Sequence, residues 1–296
     1  MKKVLFTGSG VAIVTPFGED GEVNYDLLEK LIDYQIENGT DAIVICGTTG
    51  ESSTLSDEEH IMAIKHTVDY TAGRVPVIAG TGSNETSYAL KLSNEAEAAG
   101  VDGLLMVTPY YNKTSQDGLV AHYNYVADRV STPIILYNVP GRTGMTIKPE
   151  TYFELSRNPK IIATKEASGD ISAIAKMVSL CGDDMPFYSG NDDQITALMS
   201  LGAKGVISVL SNILPNETHN IAAKYLEGDS IGSAALQMKY FDLCTDLFID
   251  VNPICIKEAM LMMGWPVGEC RLPLVPLNEK NRATLSATLK KHGLIH

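Results

Sequence analysis

Short apolar runs recur along the chain, separated by stretches with helical periodicity. The runs are VAIVTP (11–16), AIVICG (42–47), PVIAGTG (76–82), GLLMVTP (103–109), PIILYNVP (133–140), IIATKEAS (161–168), PFYSGN (186–191) and GVISVLS (205–211). They are rich in Val, Ile and Leu and mostly apolar throughout, as strands buried on both faces are. Between them, Ser56-Asp57-Glu58-Glu59 reads as a capping box. The helix behind it is expected to stack Ile61, Ile64 and Val68 on one face and to stop at Gly73. Asn84 is the expected cap of the next helix, with Tyr88, Leu92 and Ala96 at four-residue spacing and Gly100 after it. Eight such units, each of about 20–35 residues, predict an α/β fold, a closed (β/α)8 TIM barrel.

An open, doubly wound sheet competes with the barrel, but its dinucleotide fingerprint fails. GTGSNE (80–85) has Glu85 where the third glycine belongs. From about residue 213 onward only helical patterns remain. Ile254 to Met263 and Asn278 to Lys291 are the clearest, with LPLVPL (272–277) as a proline-punctuated connector. The expected organisation is a barrel over 1–224 and a C-terminal helical extension over 225–296 packed on it.

Composition narrows the function classes. The 296 residues are 45% hydrophobic and 20% charged, an ordinary globular balance with length for a large core. The formal net charge of −13 repels phosphate backbones and anionic lipid, so neither nucleic acid nor membrane is an expected partner. The start MKKVLFTGSG lacks the apolar core of a signal peptide, and no run of about 18 apolar residues exists to span a bilayer. The five cysteines (Cys46, Cys181, Cys244, Cys255, Cys270) are odd in number, irregularly spaced and without C-x-x-C. They read as buried thiols of a cytoplasmic protein. The six histidines show no zinc spacing. Asp192-Asp193 suggests a hard cation only weakly, since Asp193 also suits a helix cap. No metal and no organic cofactor are expected.

Active sites of such barrels lie at the C-terminal ends of the strands. The polar residues there are Thr48 and Thr49 in GTTGES, Tyr110 and Tyr111, Tyr137, Arg142, Lys165 with Glu166, and Gly190, with Ile207 on the eighth run. Lys165 is the most informative, because it interrupts an apolar run. By strand alternation residues 161, 163 and 165 share a face, where Ala163 leaves room beside the amine. A lysine rarely enters a core unpaired, and burial favours its neutral form, the nucleophile of Schiff-base chemistry. The other reading is a strand-end lysine paired with Glu166. The glycine-flanked turn at Thr48-Thr49 is either an anion nest for a carboxylate or an ordinary strand–helix turn. Tyr137 lies on the strand before Lys165 and is either a proton carrier above the mouth or a core tyrosine. Arg142 is either a bidentate carboxylate ligand or a surface arginine.

Taken in order, GTTGES (47–52), PVIAGTGSN (76–84), TPYYNK (108–113), ILYNVPGRTG (135–144), TKEASG (164–169), GVISV (205–209) and RLPL from Arg271 resemble the dihydrodipicolinate synthase family across essentially the whole chain. The resemblance implies an imine between Lys165 and pyruvate, with Tyr137 as proton donor and acceptor and Thr48 and Tyr111 completing a relay. It implies pyruvate contacts from Thr49 and Ile207, with Gly190 at the site, and a carboxylate contact from Arg142 to L-aspartate 4-semialdehyde. Tyr111 would serve a neighbouring subunit's site, which implies a dimer, usually paired into a homotetramer. N-acetylneuraminate lyases share the lysine, tyrosine and turn but do not usually carry the arginine. Ser52, Ser53, Leu55, His60, Asn84 and Tyr110 match a cleft that binds feedback L-lysine in many members. Asp57 and Tyr88 depart from that pattern, so weak or no lysine inhibition is expected. The alternatives are another pyruvate-dependent class I aldolase cleaving a sugar acid, and a barrel that merely binds a carboxylate.

Overall fold

The computed structural model describes residues 2–296. Eight parallel strands close on themselves in chain order, each pairing with the next and the first with the last. They are β1 (Gly8–Ala12), β2 (Ala42–Ile45), β3 (Val77–Gly80), β4 (Gly103–Val107), β5 (Ile134–Asn138), β6 (Ile161–Glu166), β7 (Phe187–Ser189) and β8 (Gly205–Ser208). The barrel helices are α1 (Tyr25–Glu37), α2 (Asp57–Thr71), α3 (Thr86–Ala99), α4 (Gln116–Ala127), α5 (Pro140–Thr143), α6 (Pro149–Leu155), α7 (Ile171–Cys181), α8 (Ile195–Met199) and α9 (Pro215–Leu226). Then follow α10 (Ser230–Lys239), α11 (Phe241–Asp246), α12 (Ile254–Met262) and α13 (Glu279–Lys291). The expected TIM barrel with C-terminal helices is therefore present.

Two apolar layers hold it. The inner one joins Ala12, Ala42, Val44, Ile78, Leu105, Ile135, Tyr137, Ala163, Tyr188 and Ile207 inside the strands. Phe6, ahead of β1, seals this layer from below and stacks on Tyr188 with ring centroids 4.4 Å apart. The outer layer joins the other strand faces to the helices and takes in Leu243, Leu247, Ile256, Ala259, Leu285 and Leu289 of the C-terminal helices. Those helices thus share the barrel's main core.

Local details depart from the sequence reading. The first strand is Gly8–Ala12 rather than 11–16, because the ladder to β8 begins at Gly8 opposite Gly205. Ser56 and Glu59 do form the capping box of α2. Its buried residues, however, are His60, Ala63, Ile64, Thr67 and Thr71; Ile61 and Val68 sit at the edge. The helix ends one residue earlier, at Ala72, and both Ala72 and Gly73 are left-handed, with φ of 49° and 74°. Glu85, not Asn84, caps α3 through the amides of Ser87 and Tyr88. Gly100 ends that helix as expected. Asp193 caps nothing, lying inside a 3-10 turn over Asp192–Gln194. On β6 a bulge breaks the alternation: Ile134 pairs with Ile161 but Ile135 pairs with Ala163. Ile161 therefore joins the outer layer while Ala163 stays inside.

Among the described residues no helix is long and apolar enough to cross a membrane. All five cysteines are free, four of them buried and Cys270 half-buried. Burial pushes their thiols up, Cys181 and Cys255 to about 11.

Candidate active site

Past the bulge the period-two rule holds, and it separates two neighbours with opposite chemistry. Lys165 faces the barrel interior beside Ala163, whereas Glu166 faces outward. The ladder sets Tyr137 of β5, Lys165 of β6 and Tyr188 of β7 in one row across three strands. Lys165 is buried, and its Nζ lies 4.5 Å from the centroid of the Tyr137 ring. Gly190, after β7, keeps that space open. A Cβ there would come within 3.1 Å of Lys165 Cε and 2.7 Å of Ala167 Cβ.

The sequence left open a Lys165–Glu166 pair, and the structure removes it. Glu166 accepts from Asn138 Nδ2 at 3.0 and 3.1 Å, from the Tyr152 hydroxyl at 2.8 Å and from the Ser168 amide at 2.9 Å. Burial pushes its carboxyl above the ordinary range, and those hydrogen bonds pull the other way. The carboxylate's work is to join β5 to β6 directly behind Tyr137 and Lys165.

The opposite side of the mouth is the turn after β2. Cys46 and Glu51, at its two ends, both adopt left-handed backbone with φ of 53°. Such residues cost about 1–3 kcal/mol each and persist where surrounding contacts impose them. Those contacts are present. Thr15 Oγ1 donates to the Gly50 carbonyl at 2.7 Å. Gly80 of β3 packs so close that a Cβ would lie 2.1 Å from the Cys46 carbonyl oxygen. Thr49 is buried, and its Oγ1 accepts from Asn252 Nδ2 at 3.0 Å, which leaves the hydroxyl hydrogen free to donate. Thr48 and Tyr137 line one small cavity of about 40 Å³ with Gly47 and Leu105. Ile207 is fully buried on the inner face of β8.

Arg142 is exposed on α5 and donates through Nη2 to the Asn252 carbonyl at 3.1 Å. Asn252, from the segment ahead of α12, therefore links Arg142 to Thr49. Its Oδ1 is buried without a partner. Sequence reasoning missed this residue, because no motif marks an asparagine whose partners stand 110 and 203 positions away. Asp192, read from sequence only as a weak cation candidate, instead accepts from the Val209 and Leu210 amides at 3.0 and 2.9 Å and fixes the end of β8. Among the described residues no three His, Cys, Asp or Glu side chains converge as a metal-binding group.

Not every candidate joins the mouth. Tyr111 is 91% exposed and points away, with a left-handed φ of 68°. Beside it, Tyr110 lines a second cavity of about 360 Å³ with Ser52, Ser53, Leu55, His60 and Tyr88. Thr48 and Arg142 line the same cavity, which connects it to the mouth. Asn84 is not part of that lining; its carbonyl accepts from Asn112 Nδ2 at 2.9 Å.

A buried lysine amine, an adjacent phenol, a turn with a free hydroxyl proton and an outlying guanidinium suit an anionic carbonyl compound. Comparison with known proteins agrees with this chemistry. The Dihydrodipicolinate synthetase family model matches residues 5–292. The chain is 52% identical over 295 residues to the 4-hydroxy-tetrahydrodipicolinate synthase of Acetivibrio thermocellus, covering all of both chains. It is 53% identical over 291 residues to that of Clostridium perfringens, covering 98% of this chain and all of the other. The chloride-inhibited dihydrodipicolinate synthase of Acinetobacter baumannii, solved in complex with pyruvate, superposes with a TM-score of 0.95 at 44% identity. That match covers 98% of this chain and 99% of the other. On sequence and fold together, the chain belongs to the dihydrodipicolinate synthetase family.

Proposed function

We propose that this protein condenses pyruvate with L-aspartate 4-semialdehyde to 4-hydroxy-tetrahydrodipicolinate, the committed step toward diaminopimelate and lysine, through an imine on Lys165. The observation that carries the reading is the Lys165 amine, buried over the Tyr137 ring and with its neighbouring carboxylate turned to the opposite face. The Thr48-Thr49 turn receives the pyruvate carboxylate, to which the Thr49 hydroxyl donates. Lys165 Nζ attacks the keto carbon, and the resulting carbinolamine loses water to give the imine. Tyr137 carries the protons in that step. Loss of a methyl proton then gives the enamine, whose carbon attacks the aldehyde carbon of the second substrate. Arg142 holds the carboxylate of that substrate at the rim. The substrate's own amine finally attacks the imine carbon, closes the ring and releases Lys165. One water leaves in the overall reaction, and the lysine itself serves as electron sink without metal or organic cofactor.

Tyr111 takes part only from a second copy of the chain. Its exposure and left-handed backbone support a role across an interface, where it extends the Thr48–Tyr137 relay of the neighbour. We infer a dimer as the functional unit, paired into a homotetramer, in the cytoplasm. Borohydride reduction in the presence of pyruvate tests the chemistry. The expected product is one reduced pyruvyl group on Lys165, found by peptide mass spectrometry. A protein left unmodified would be a carboxylate binder only. Assays with the semialdehyde, N-acetylneuraminate and 2-keto-3-deoxygluconate then separate this reaction from other pyruvate-dependent aldolases; turnover of a sugar acid alone would overturn it.

A further inference from the structure

The 48–51 turn is gripped from behind by an ion pair that plays no part in the chemistry above. Glu51 directly follows Gly50 of the turn, is 3% exposed and holds its left-handed φ of 53°. Lys257, from α12, is 1% exposed. Its Nζ donates to Glu51 Oε1 at 2.9 Å, to the Thr15 carbonyl at 3.2 Å and to the Glu269 carbonyl at 3.0 Å. All three ammonium hydrogens are thereby used. The other Glu51 oxygen accepts from the Arg271 amide at 2.9 Å. Thr15 closes the ring of contacts, because its hydroxyl holds the Gly50 carbonyl. Lys257 thus reaches the turn twice, through the Glu51 carboxylate and through Thr15.

Stability alone does not explain such a pair. Replacing a buried ion pair by apolar residues of similar volume is often neutral or stabilising, whereas removing one partner is strongly destabilising. An apolar contact would hold α12 against the barrel equally well. It would not fix the direction of the Glu51 backbone, nor the amides and hydroxyls of the turn just ahead of it. Burial pushes the Lys257 ammonium down from its ordinary value, and the Glu51 carboxylate opposes that shift.

We propose that Glu51 and Lys257 are a positioning pair that sets the geometry of the carboxylate-binding turn, so that the C-terminal helices determine affinity for the 2-oxo acid. The inference rests on the proposed Schiff-base function. Neither residue touches substrate; both act through Thr48 and Thr49.

The test is the double variant Glu51→Gln/Lys257→Met, which leaves no unpaired buried charge. Lys257→Arg serves as the conservative variant, and Arg282→Ala on α13, which removes the ion pair to Glu258 next to Lys257 on α12, serves as a control. Half-saturating pyruvate is read from borohydride trapping of Lys165, alongside KM for each substrate and Tm. In the double variant, half-saturating pyruvate is expected to rise about tenfold, equivalent to about 1.4 kcal/mol. KM for the semialdehyde is expected to stay within about twofold and Tm to fall only modestly, since the Thr15 and Glu269 carbonyls lose a donor but no charge is stranded. Lys257→Arg, which keeps charge but moves the donors, is expected to weaken pyruvate in the same direction, and Arg282→Ala to leave it unchanged. A folded double variant with unaltered half-saturation overturns the proposal. Should the double variant not fold, unaltered half-saturation in Lys257→Arg does the same. Failure of trapping in the parent protein would instead sink the Schiff-base reading itself.

Discussion

Along β5, β6 and β7 the reactive side of the mouth is set by ladder register, whereas the binding side is a strained turn set by residues two hundred positions away. Tyr137, Lys165 and Tyr188 form one row of paired residues, and Asn138 and Glu166 join β5 to β6 on the outer face. Apart from the bulge at Ile162 of β6, nothing in that arrangement needs unusual backbone. The turn opposite carries left-handed Cys46 and Glu51, and its holders are Asn252, Lys257 and Arg271 at separations of 203, 206 and 220 residues. The difference teaches that a barrel can supply a nucleophile from strand geometry alone. A carboxylate nest of defined direction needs support from outside the repeating units. On the proposed function, the C-terminal helices are in this sense part of the site.

The largest expected effects fall on the reactive side. Lys165→Met removes the nucleophile, so turnover and borohydride trapping are expected to vanish. Tm is expected to hold or rise, because Lys165 forms no direct ion pair and the buried Asp192, which feels its charge, keeps its own backbone donors at Val209 and Leu210. Tyr137→Phe keeps the ring under the amine but removes the proton carrier. It is expected to lower kcat about 10²–10³-fold while imine trapping at saturating pyruvate still goes to completion. Tyr111→Phe is expected to lower kcat in the same direction. If its hydroxyl works in the neighbour's site, mixing Lys165→Met and Tyr111→Phe subunits restores about a quarter of parental activity in randomly paired dimers. No recovery after verified subunit exchange would return Tyr111 to a role within its own chain.

How far each side was legible in the sequence follows the same division. The eight apolar runs and the lysine inside the sixth are period and composition, which one chain displays directly. Lys165 and Tyr137 were readable because strand neighbours in a barrel are sequence neighbours. The bulge at Ile162 was not, since it arises from pairing with β5 and leaves no mark in an apolar run. The GTTGES turn was visible as a motif, but its supports were not. Asn252 and Lys257 look like an ordinary helix start, and only contact with Thr49 and Glu51 gives them meaning. Two caps shifted for a simpler reason, while the Ser56–Glu59 box and Gly100 held: Glu85 and Ala72 take the cap positions that the stronger candidates Asn84 and Gly73 stand one residue away from.

A smaller effect is expected on the binding side at low pH. Glu59 accepts from Arg271 Nη1 at 2.8 Å and pairs with Nη2 as well, while Arg271 also donates to the Thr54 and Gly21 carbonyls. The Arg271 guanidinium beside it holds the Glu59 carboxyl at about 2, below the ordinary value of 4.5. A carboxylate with a depressed folded value stabilises the protein above its unfolded value, and the gain is lost as pH falls toward the folded one. The expected window is therefore pH 4.5 down to 2, with about 1–3 kcal/mol at stake. Comparing urea unfolding of the parent with Glu59→Gln isolates the contribution. Their difference in stability is expected to shrink steadily across that window, and a difference independent of pH would detach Arg271 from the support of the turn.

The smallest expected effect is the response to L-lysine, and the cavity behind the turn explains why. An effector lysine brings two ammonium groups and one carboxylate, so its cleft must offer free negative charge. Here Asp57 is already taken: the Tyr88 hydroxyl donates to its Oδ1 at 2.6 Å, and the Lys91 ammonium pairs with its Oδ2. The hydrogen bonds from Lys91 and Tyr88 hold the Asp57 carboxyl below its usual range. Tyr88 itself lines the cavity, and burial together with Asp57 pushes its phenol up to about 12, so it adds no charge near neutrality. Burial holds the His60 imidazole below its ordinary value, and the contact of its Nε2 with the Gly80 carbonyl at 2.8 Å and the Asp57 charge oppose that shift, so it adds no negative charge to the cleft. Sub-millimolar lysine is therefore expected to leave the rate unchanged. Half-maximal inhibition in that range, lost again in Tyr88→Ala, would mean that the cleft rearranges to free a carboxylate, and that the turn half of the mouth answers to an effector as well as to the C-terminal helices.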